Sequence, residues 1–164
     1  MTAAAGPGAP GARPCEICRI QDRAAPDHVA RFAEMECWRD GTWVVRHHLA
    51  PAPLVGWTFV GTVRHVQGAA DLTDHEAAEL GPMLRRVSRA VRALTGCDRV
   101  YAIAFGQGAP HLHVHLIPRF DAEPATAAWN VADWYRAVER GERPAADPAA
   151  VADFVRRMRK LCLG

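Results

Sequence analysis

The sequence has no long apolar run and almost no excess of charge. A membrane-spanning helix needs about 20 consecutive apolar residues, and no segment of this chain approaches that length. With 20 basic and 18 acidic residues, the formal net charge is only +2. The composition therefore predicts neither a nucleic acid nor a membrane as a partner.

Cysteine is odd in number. Five cysteines among 164 residues argue against the paired disulfides of a small secreted protein. Residues 1–14, MTAAAGPGAPGARP, lack the basic start and apolar segment of a secretory signal. Their alanine, glycine and proline content predicts a disordered leader. We therefore expect a cytoplasmic protein.

The rest of the chain predicts an α+β fold with an antiparallel sheet of about five strands. Strands are grouped before and after one long helix, which is typical of that class. Asp40-Gly41 joins the first two strand candidates as a hairpin turn. The candidates are residues 32–38, 42–49, 57–63, 98–105 and 110–119. Residues 15–122 are predicted to form the domain, and 123–164 a helical extension packed on it.

The long helix has clear end signals. Thr73 can cap it, Glu76 completes a capping box, and Leu72 precedes it as a hydrophobic staple. Gly96 marks its end. Gly81-Pro82 lies inside the pattern, and we expect the proline to kink or reset the helix.

Three histidines alternate with apolar residues in segment 110–119, PHLHVHLIPR. Side chains alternate along a strand, so His111, His113 and His115 share one face. The row fits a strand whose histidines face water, a metal site, or nucleophilic catalysis on phosphorus. Two metal-site patterns that begin with His-x-His need further acidic or histidine ligands, which the following residues do not supply. A neutral imidazole attacks phosphorus well at physiological pH.

The histidine segment also carries a family resemblance. Residues 111–117, HLHVHLI, resemble the His-φ-His-φ-His-φ-φ signature of the histidine triad family of nucleotidyl hydrolases and transferases. Residues 56–66, GWTFVGTVRHV, are similar to the family's Gly-His-x-hydrophobic-x-x-Pro-Lys-Arg-His-Val strand, from which Trp57 and Thr62 depart. The resemblance implies a histidine triad fold.

Two further segments extend this resemblance over about residues 15–120. Residues 71–76, DLTDHE, resemble the Leu-Thr-x-x-Glu helix start that follows the strand in the family. Residues 15–18, CEIC, are similar to the N-terminal Cys-x-x-Cys of many members.

The resemblance implies roles for the central residues. His113 would be the nucleophile that attacks the α-phosphorus of a nucleotide, with a backbone carbonyl holding its other ring nitrogen. His115 would contact the phosphoryl oxygens or the departing group. Gln107 would offer amide donors to phosphate, although it also reads as a plain turn residue.

The third triad position indicates the reaction type. The uridylyltransferase branch has glutamine there, and this chain has His115, which favours hydrolases. The Pro118-Arg119 ending resembles that of dinucleoside polyphosphate hydrolases. The predicted function is hydrolysis of a purine nucleotide conjugate, such as a diadenosine polyphosphate or adenosine phosphoramidate, by a homodimer. The alternatives are a nucleotide-binding regulator with little turnover and a pathway-specific nucleotidyl hydrolase or transferase.

A Cys-x-x-Cys pair is half of a tetrahedral zinc site. In zinc-bearing relatives, the equivalents of His65 and His111 complete the site, which implies a structural zinc held by Cys15, Cys18, His65 and His111. The cysteines would otherwise be a redox pair or idle thiols, and His111 would then orient His113. A different strand register would substitute His47 or His48 for His65.

Several other residues stay ambiguous from sequence. Four aromatic residues are equally plausible as base-binding and as core residues: Phe32, Trp38, Trp57 and Phe59. Trp57 is retained as a substrate-binding candidate. Four histidines are expected on the surface: His28, His47, His48 and His75. The helical tail is expected to cover the active site, contact a dimer partner or pack on the sheet.

Overall fold

The computed structural model describes residues 15–22, 29–106 and 109–162. These residues form five helices and five strands, with short 3-10 turns at Ala69–Asp71 and Pro124–Thr126. The helices are α1 (Glu16–Gln21), α2 (Val29–Met35), α3 (Asp74–Thr95), α4 (Ala128–Glu139) and α5 (Pro148–Cys162). The strands are β1 (Glu36–Arg39), β2 (Trp43–His47), β3 (Thr58–Thr62), β4 (Arg99–Ile103) and β5 (His113–Arg119).

The five strands form one antiparallel sheet in the order β1-β2-β3-β5-β4. Helix α3 connects β3 to β4. The last strand, β5, lies between these two strands in the sheet and pairs with both. The α+β class, the strand number, the long helix and the helical tail are as the sequence predicts, and the predicted fold class is confirmed.

One face of the sheet packs against α3 and α5. Val45, Val60 and Leu116 are each fully buried on this face, and α3 covers them with its apolar stripe. Helix α5 contributes four buried side chains to the same core: Val151, Phe154, Val155 and Met158. Each such side chain stabilises the fold by about 1.5–3 kcal/mol. The helical tail is thus part of the main core.

The opposite face carries the histidines and a smaller apolar cluster. Register pairs His115 with Phe59 and His113 with Gly61, so these four residues share that face. Helix α4 packs at one end of the face through a cluster that includes Leu54, Trp57, Phe59, Ile117 and Val131.

Helix α3 begins and ends where its sequence indicates. The Thr73 hydroxyl accepts from the Glu76 backbone N–H, the Glu76 carboxylate accepts from the Thr73 N–H, and Gly96 adopts the left-handed conformation with φ 71°. The expected reset at Pro82 is wrong, because the helix runs unbroken to Thr95. Pro82 lies on the exposed side, where water can bond the carbonyl that the proline leaves free.

The first predicted strand is also partly wrong. Residues up to Met35 belong to α2, and β1 covers only Glu36–Arg39. Phe32 and Met35 are three residues apart, which places them on one helical face, and both pack inwards.

Among the described residues, no helix is long and apolar enough to cross a membrane.

Candidate active site and metal centre

The ring of His113 is fixed by a backbone carbonyl. Its Nδ1 lies 2.6 Å from the His111 carbonyl oxygen. A carbonyl only accepts hydrogen bonds, so Nδ1 carries the proton and Nε2 keeps a free lone pair. Burial lowers the pKa of His113, which leaves a neutral imidazole at physiological pH. Gly61 on β3 pairs with His113 on β5. A Cβ added at Gly61 would lie 3.6 Å from the His113 Cβ.

His115 has the opposite arrangement of nitrogens. The Trp57 indole Nε1 donates to His115 Nδ1 at 3.2 Å. Because an indole N–H can only donate, His115 Nδ1 accepts and Nε2 carries the proton. Burial lowers the pKa of His115 to about 3, with smaller contributions from His113, His48 and Arg46. His115 is therefore a neutral group that presents an N–H donor.

Only some of the other substrate-binding candidates lie on the histidine face. Gln107 lies outside the described residues. Trp57 is only 3% exposed and reaches the site through its bond to His115. Trp57 and Phe59 lie on the histidine face. Trp38 packs against the core on the other face.

The histidine face includes two residues that the sequence motifs do not identify, Arg46 and His48. Arg46 places its guanidinium 4.1 Å from the Phe59 ring centroid. The His48 ring contacts Phe59, Trp57 and Tyr135, with centroids 5.4 to 5.7 Å apart. Strand alternation along β2, applied with its register, would have placed Arg46 and His48 on this face.

The expected surface positions of His47 and His48 are wrong. His47 is fully buried; its Nδ1 donates to the His48 carbonyl and its Nε2 accepts from the Gly56 N–H. His48 is partly buried against aromatic rings. Burial lowers the pKa of each to about 4. Burial thus keeps both imidazoles neutral at physiological pH, although a hydrogen bond to a backbone carbonyl raises each pKa slightly.

Four potential metal ligands come together beside the histidine face. Ligand atoms of Cys15, Cys18, His65 and His111 all lie within 4.8 Å of one another. Cys18 Sγ is 3.3 Å from His65 Nδ1 and 3.4 Å from His111 Nδ1. Cys15 Sγ is 3.6 Å from His111 Nδ1. Helix α1, which follows Cys15, is thereby brought against the loops around β3 and β5.

The donor set fits zinc. Tetrahedral zinc with its usual Zn–S and Zn–N bond lengths places sulfur and nitrogen ligands about 3.5 Å apart, close to the distances in this cluster. His111 Nε2 donates to the Thr62 carbonyl at 2.8 Å, so the Nδ1 lone pair points towards the sulfurs. Burial and Cys15 raise the pKa of Cys18 to about 11, and a bound cation would favour the thiolate instead. The alternative ligands His47 and His48 are not in this cluster.

Comparison with a protein-family model decides the family. The HIT domain model matches residues 39–122, which is half of the chain. The chain belongs to the histidine triad (HIT) family. Members of this family bind nucleotides and act as hydrolases or transferases. No curated protein sequence matches this histidine triad chain.

Solved structures share the fold of this histidine triad protein. A histidine triad protein from Bradyrhizobium japonicum is 29% identical, with a TM-score of 0.56 over 80% of this chain and 93% of its own. A zinc-bound family member from Mycobacterium smegmatis is 18% identical, with a TM-score of 0.63 over 91% and 93%. A Hit-like protein from Bartonella henselae, described as involved in cell-cycle regulation, is 14% identical, with a TM-score of 0.56 over 77% and 86%.

Proposed function

We propose that this protein is a hydrolase that cleaves nucleotide conjugates at the α-phosphate through a covalent nucleotidyl intermediate on His113. The observation that carries the proposal is the 2.6 Å contact between His113 Nδ1 and the His111 carbonyl. That contact leaves Nε2 of a neutral imidazole as the free lone pair, which is the nucleophile that attack on phosphorus requires.

The reaction takes two in-line displacements. His113 Nε2 attacks the α-phosphorus, an N–P bond forms, and the bond to the leaving group breaks with its electron pair departing on that group. Water then attacks the same phosphorus, loses a proton, and breaks the N–P bond. The products are a nucleoside monophosphate, the released leaving group and regenerated His113.

His115 acts as a positioned hydrogen-bond donor to the phosphoryl oxygens. A donor aimed at developing charge typically contributes about 10²–10³ in rate. A neutral imidazole is a poor source of a full proton, and a polyphosphate leaves as an anion that needs none. This supports an anhydride, such as a diadenosine polyphosphate, more strongly than a phosphoramidate.

Two sequence features support the dinucleoside polyphosphate hydrolase-like subtype within the proposal. Histidine rather than glutamine occupies position 115, and Pro118-Arg119 ends the strand. Gln107 would offer amide donors to phosphate. We further propose that residues 15–122 form the histidine triad domain, that 123–164 extend it, and that the protein is a cytoplasmic homodimer.

A structural zinc completes the proposal. Cys15, Cys18, His65 and His111 would hold it, and four protein ligands leave no open position for substrate. Zinc would tie the segment before α1 to the strands that carry the catalytic histidines.

The covalent step is tested by the configuration at phosphorus. A substrate made chiral at the α-phosphorus should give product with retained configuration, because two inversions cancel. Clean inversion would mean direct attack by water and would refute the role of His113 as nucleophile. His113→Ala should abolish turnover while nucleotide binding survives. His75→Ala is the control, since His75 is an exposed α3 residue whose side chain is 73% accessible.

A second outcome would favour regulation over catalysis. Tight binding of a nucleoside monophosphate, without turnover of any nucleotide conjugate in a panel, would indicate a nucleotide-binding regulator. The regulatory role described for the Bartonella henselae protein supports including that outcome.

A further inference from the structure

Arg46 is a buried cation on the same face as the catalytic histidines. Register aligns it with Phe59 on β3, and Phe59 with His115 on β5. Its side chain lies between two aromatic rings, with the guanidinium carbon 4.1 Å from the Phe59 centroid and 5.5 Å from that of Phe32. The residue is only 8% exposed.

The guanidinium has far fewer polar partners than it has donors. An arginine carries five N–H donors, and the one polar contact of Arg46 in the described parts of the chain is Nη1 to the His47 carbonyl at 3.4 Å. No carboxylate in those parts forms an ion pair with it. The cross-strand acid, Glu36, bonds Arg39 at 3.0 Å.

An unpaired buried charge is costly to the fold. Burial lowers the pKa of Arg46 to about 10, so the side chain remains a cation at neutral pH. Replacing a buried charge with an apolar side chain of similar volume is often neutral or stabilising. Cation–π attraction to the Phe59 and Phe32 rings offsets part of this cost, but it leaves the N–H donors at the guanidinium edge without acceptors.

The unbonded nitrogens of Arg46 are not fully enclosed by the core. Buried polar atoms without a partner occur elsewhere among the described residues, for example at Thr58 Oγ1, but Arg46 contributes none. Its unbonded nitrogens therefore keep accessible surface. The positive charge of Arg46 contributes to the lowered pKa of both His113 and His115. The Phe59 ring lies 5.7 Å from the His113 ring and 4.5 Å from the His115 ring, which places it between the histidines and the guanidinium.

We propose that Arg46 binds an acidic group, a phosphate or a carboxylate, on the part of the substrate that lies across Phe59 from the phosphorus attacked by His113. This inference rests on the proposed function and narrows its substrate class to nucleotide conjugates with a second acidic group. The two rings hold the guanidinium so that its edge can bond such a group with two parallel hydrogen bonds. An anion compensates the buried charge in a way that a neutral base edge does not.

Binding calorimetry on stable ligands tests this inference without turnover. The ligands are adenosine 5′-monophosphate, adenosine 3′,5′-bisphosphate, N6-carboxymethyl adenosine 5′-monophosphate and the uncharged N6-methyl analogue. The bisphosphate tests a phosphate on the sugar, and the carboxymethyl ligand tests a carboxylate on the base. Wild-type protein should bind at least one acidic ligand about 10- to 100-fold more tightly than its matched parent.

Arg46→Met should abolish that preference, and Arg46→Lys should keep part of it. Arg99→Met is the matched control, because Arg99 lies on the same sheet face at the β4 edge with a side chain that is 62% exposed. Its preference should equal that of wild type. Melting curves of each variant establish that it is folded.

Three results would overturn the inference while the proposed function stands. Equal binding of acidic and parent ligands by wild type is one, and an unchanged preference in folded Arg46→Met is another. The third is a preference for guanosine monophosphate over adenosine monophosphate that is lost in Arg46→Met while the preference for acidic ligands is not. That result would assign Arg46 to recognition of the base. If no nucleotide binds at all, the proposed function fails and this inference fails with it.

Discussion

Cys18→Ser should remove the dependence of protein stability on zinc. The Cys18 sulfur contacts Nδ1 of His65 and of His111 at 3.3 and 3.4 Å, so it forms two edges of the proposed coordination tetrahedron. A serine hydroxyl stays protonated at neutral pH and does not replace a thiolate ligand for zinc. The other three ligands remain, but they no longer enclose the ion.

The size of the effect follows from binding linkage. Zinc that binds only the folded state stabilises it by about 2.7 kcal/mol at 100 times its dissociation constant, and by about 4.1 kcal/mol at 1,000 times. For a chain of this length, 1 kcal/mol shifts the melting temperature by about 2–4 °C. A chelator should therefore lower the melting temperature of wild type by roughly 5–15 °C.

The assay compares melting curves with and without a chelator. Cys18→Ser should melt at the same temperature in both, and elemental analysis should find about one zinc per wild-type chain and none in the variant. Cys97→Ala is the control, since Cys97 is buried away from the cluster and should leave the chelator response intact. A wild-type protein that ignores the chelator and carries no zinc would refute the proposed site.

Two further predictions concern buried imidazoles. Trp57→Phe removes the donor that fixes the His115 tautomer, so turnover should fall about 10-fold, less than the 10²–10³ expected for His115→Ala; nitrogen chemical shifts of His115 that do not change would contradict this. Burial lowers the pKa of His47 and of His48 from 6.5 to about 4, so the unfolded state binds more protons between these values. Stability should be complete above about pH 6.5 and fall by roughly 1.4 kcal/mol per pH unit for each histidine down to pH 4. Urea unfolding of Cys18→Ser at pH 7.5 and 5.5 measures this without metal release, and equal midpoints would contradict it.

Local signals account for the parts of the fold that were predictable. The Thr73 cap, the Glu76 box and the Gly96 terminus each depend on residues within a few positions of one another, and all three are confirmed. The two-residue alternation of β5 needs only the sequence of that strand. These features do not depend on how the sheet is assembled.

Features set by strand register were not predictable in the same way. Arg46 meets the histidine face only because β2 pairs with β3 in one register, and the ring of His47 is buried because Gly56, nine residues later, turns back to bond it. Gly56 has φ 87°, and a Cβ there would lie 2.6 Å from Thr95 Cγ2, so this close approach requires glycine. The sequence contains these residues, but it does not show which of them are in contact in the folded protein.

The three triad histidines illustrate why spacing alone does not assign roles. His111 bonds the Thr62 carbonyl through Nε2 and turns Nδ1 to the cysteines. His113 is protonated on Nδ1 by the same criterion, and His115 on Nε2. Identical side chains thus present a candidate metal-ligand atom, a free lone pair and an N–H donor, because each has a different fixed partner.

His111 also joins the two sites through its own backbone. Its imidazole lies among the cysteines, while its carbonyl oxygen accepts the hydrogen bond from His113 Nδ1. We therefore expect a displacement of the His111 ring to shift its carbonyl, the group that selects the lone pair on His113. The loss of metal ligands should reach turnover by this path as well as through stability, so activity per folded molecule of Cys18→Ser should fall while that of Cys97→Ala does not. Equal activity of folded Cys18→Ser and wild type would show that the backbone holds this carbonyl in place without the cluster.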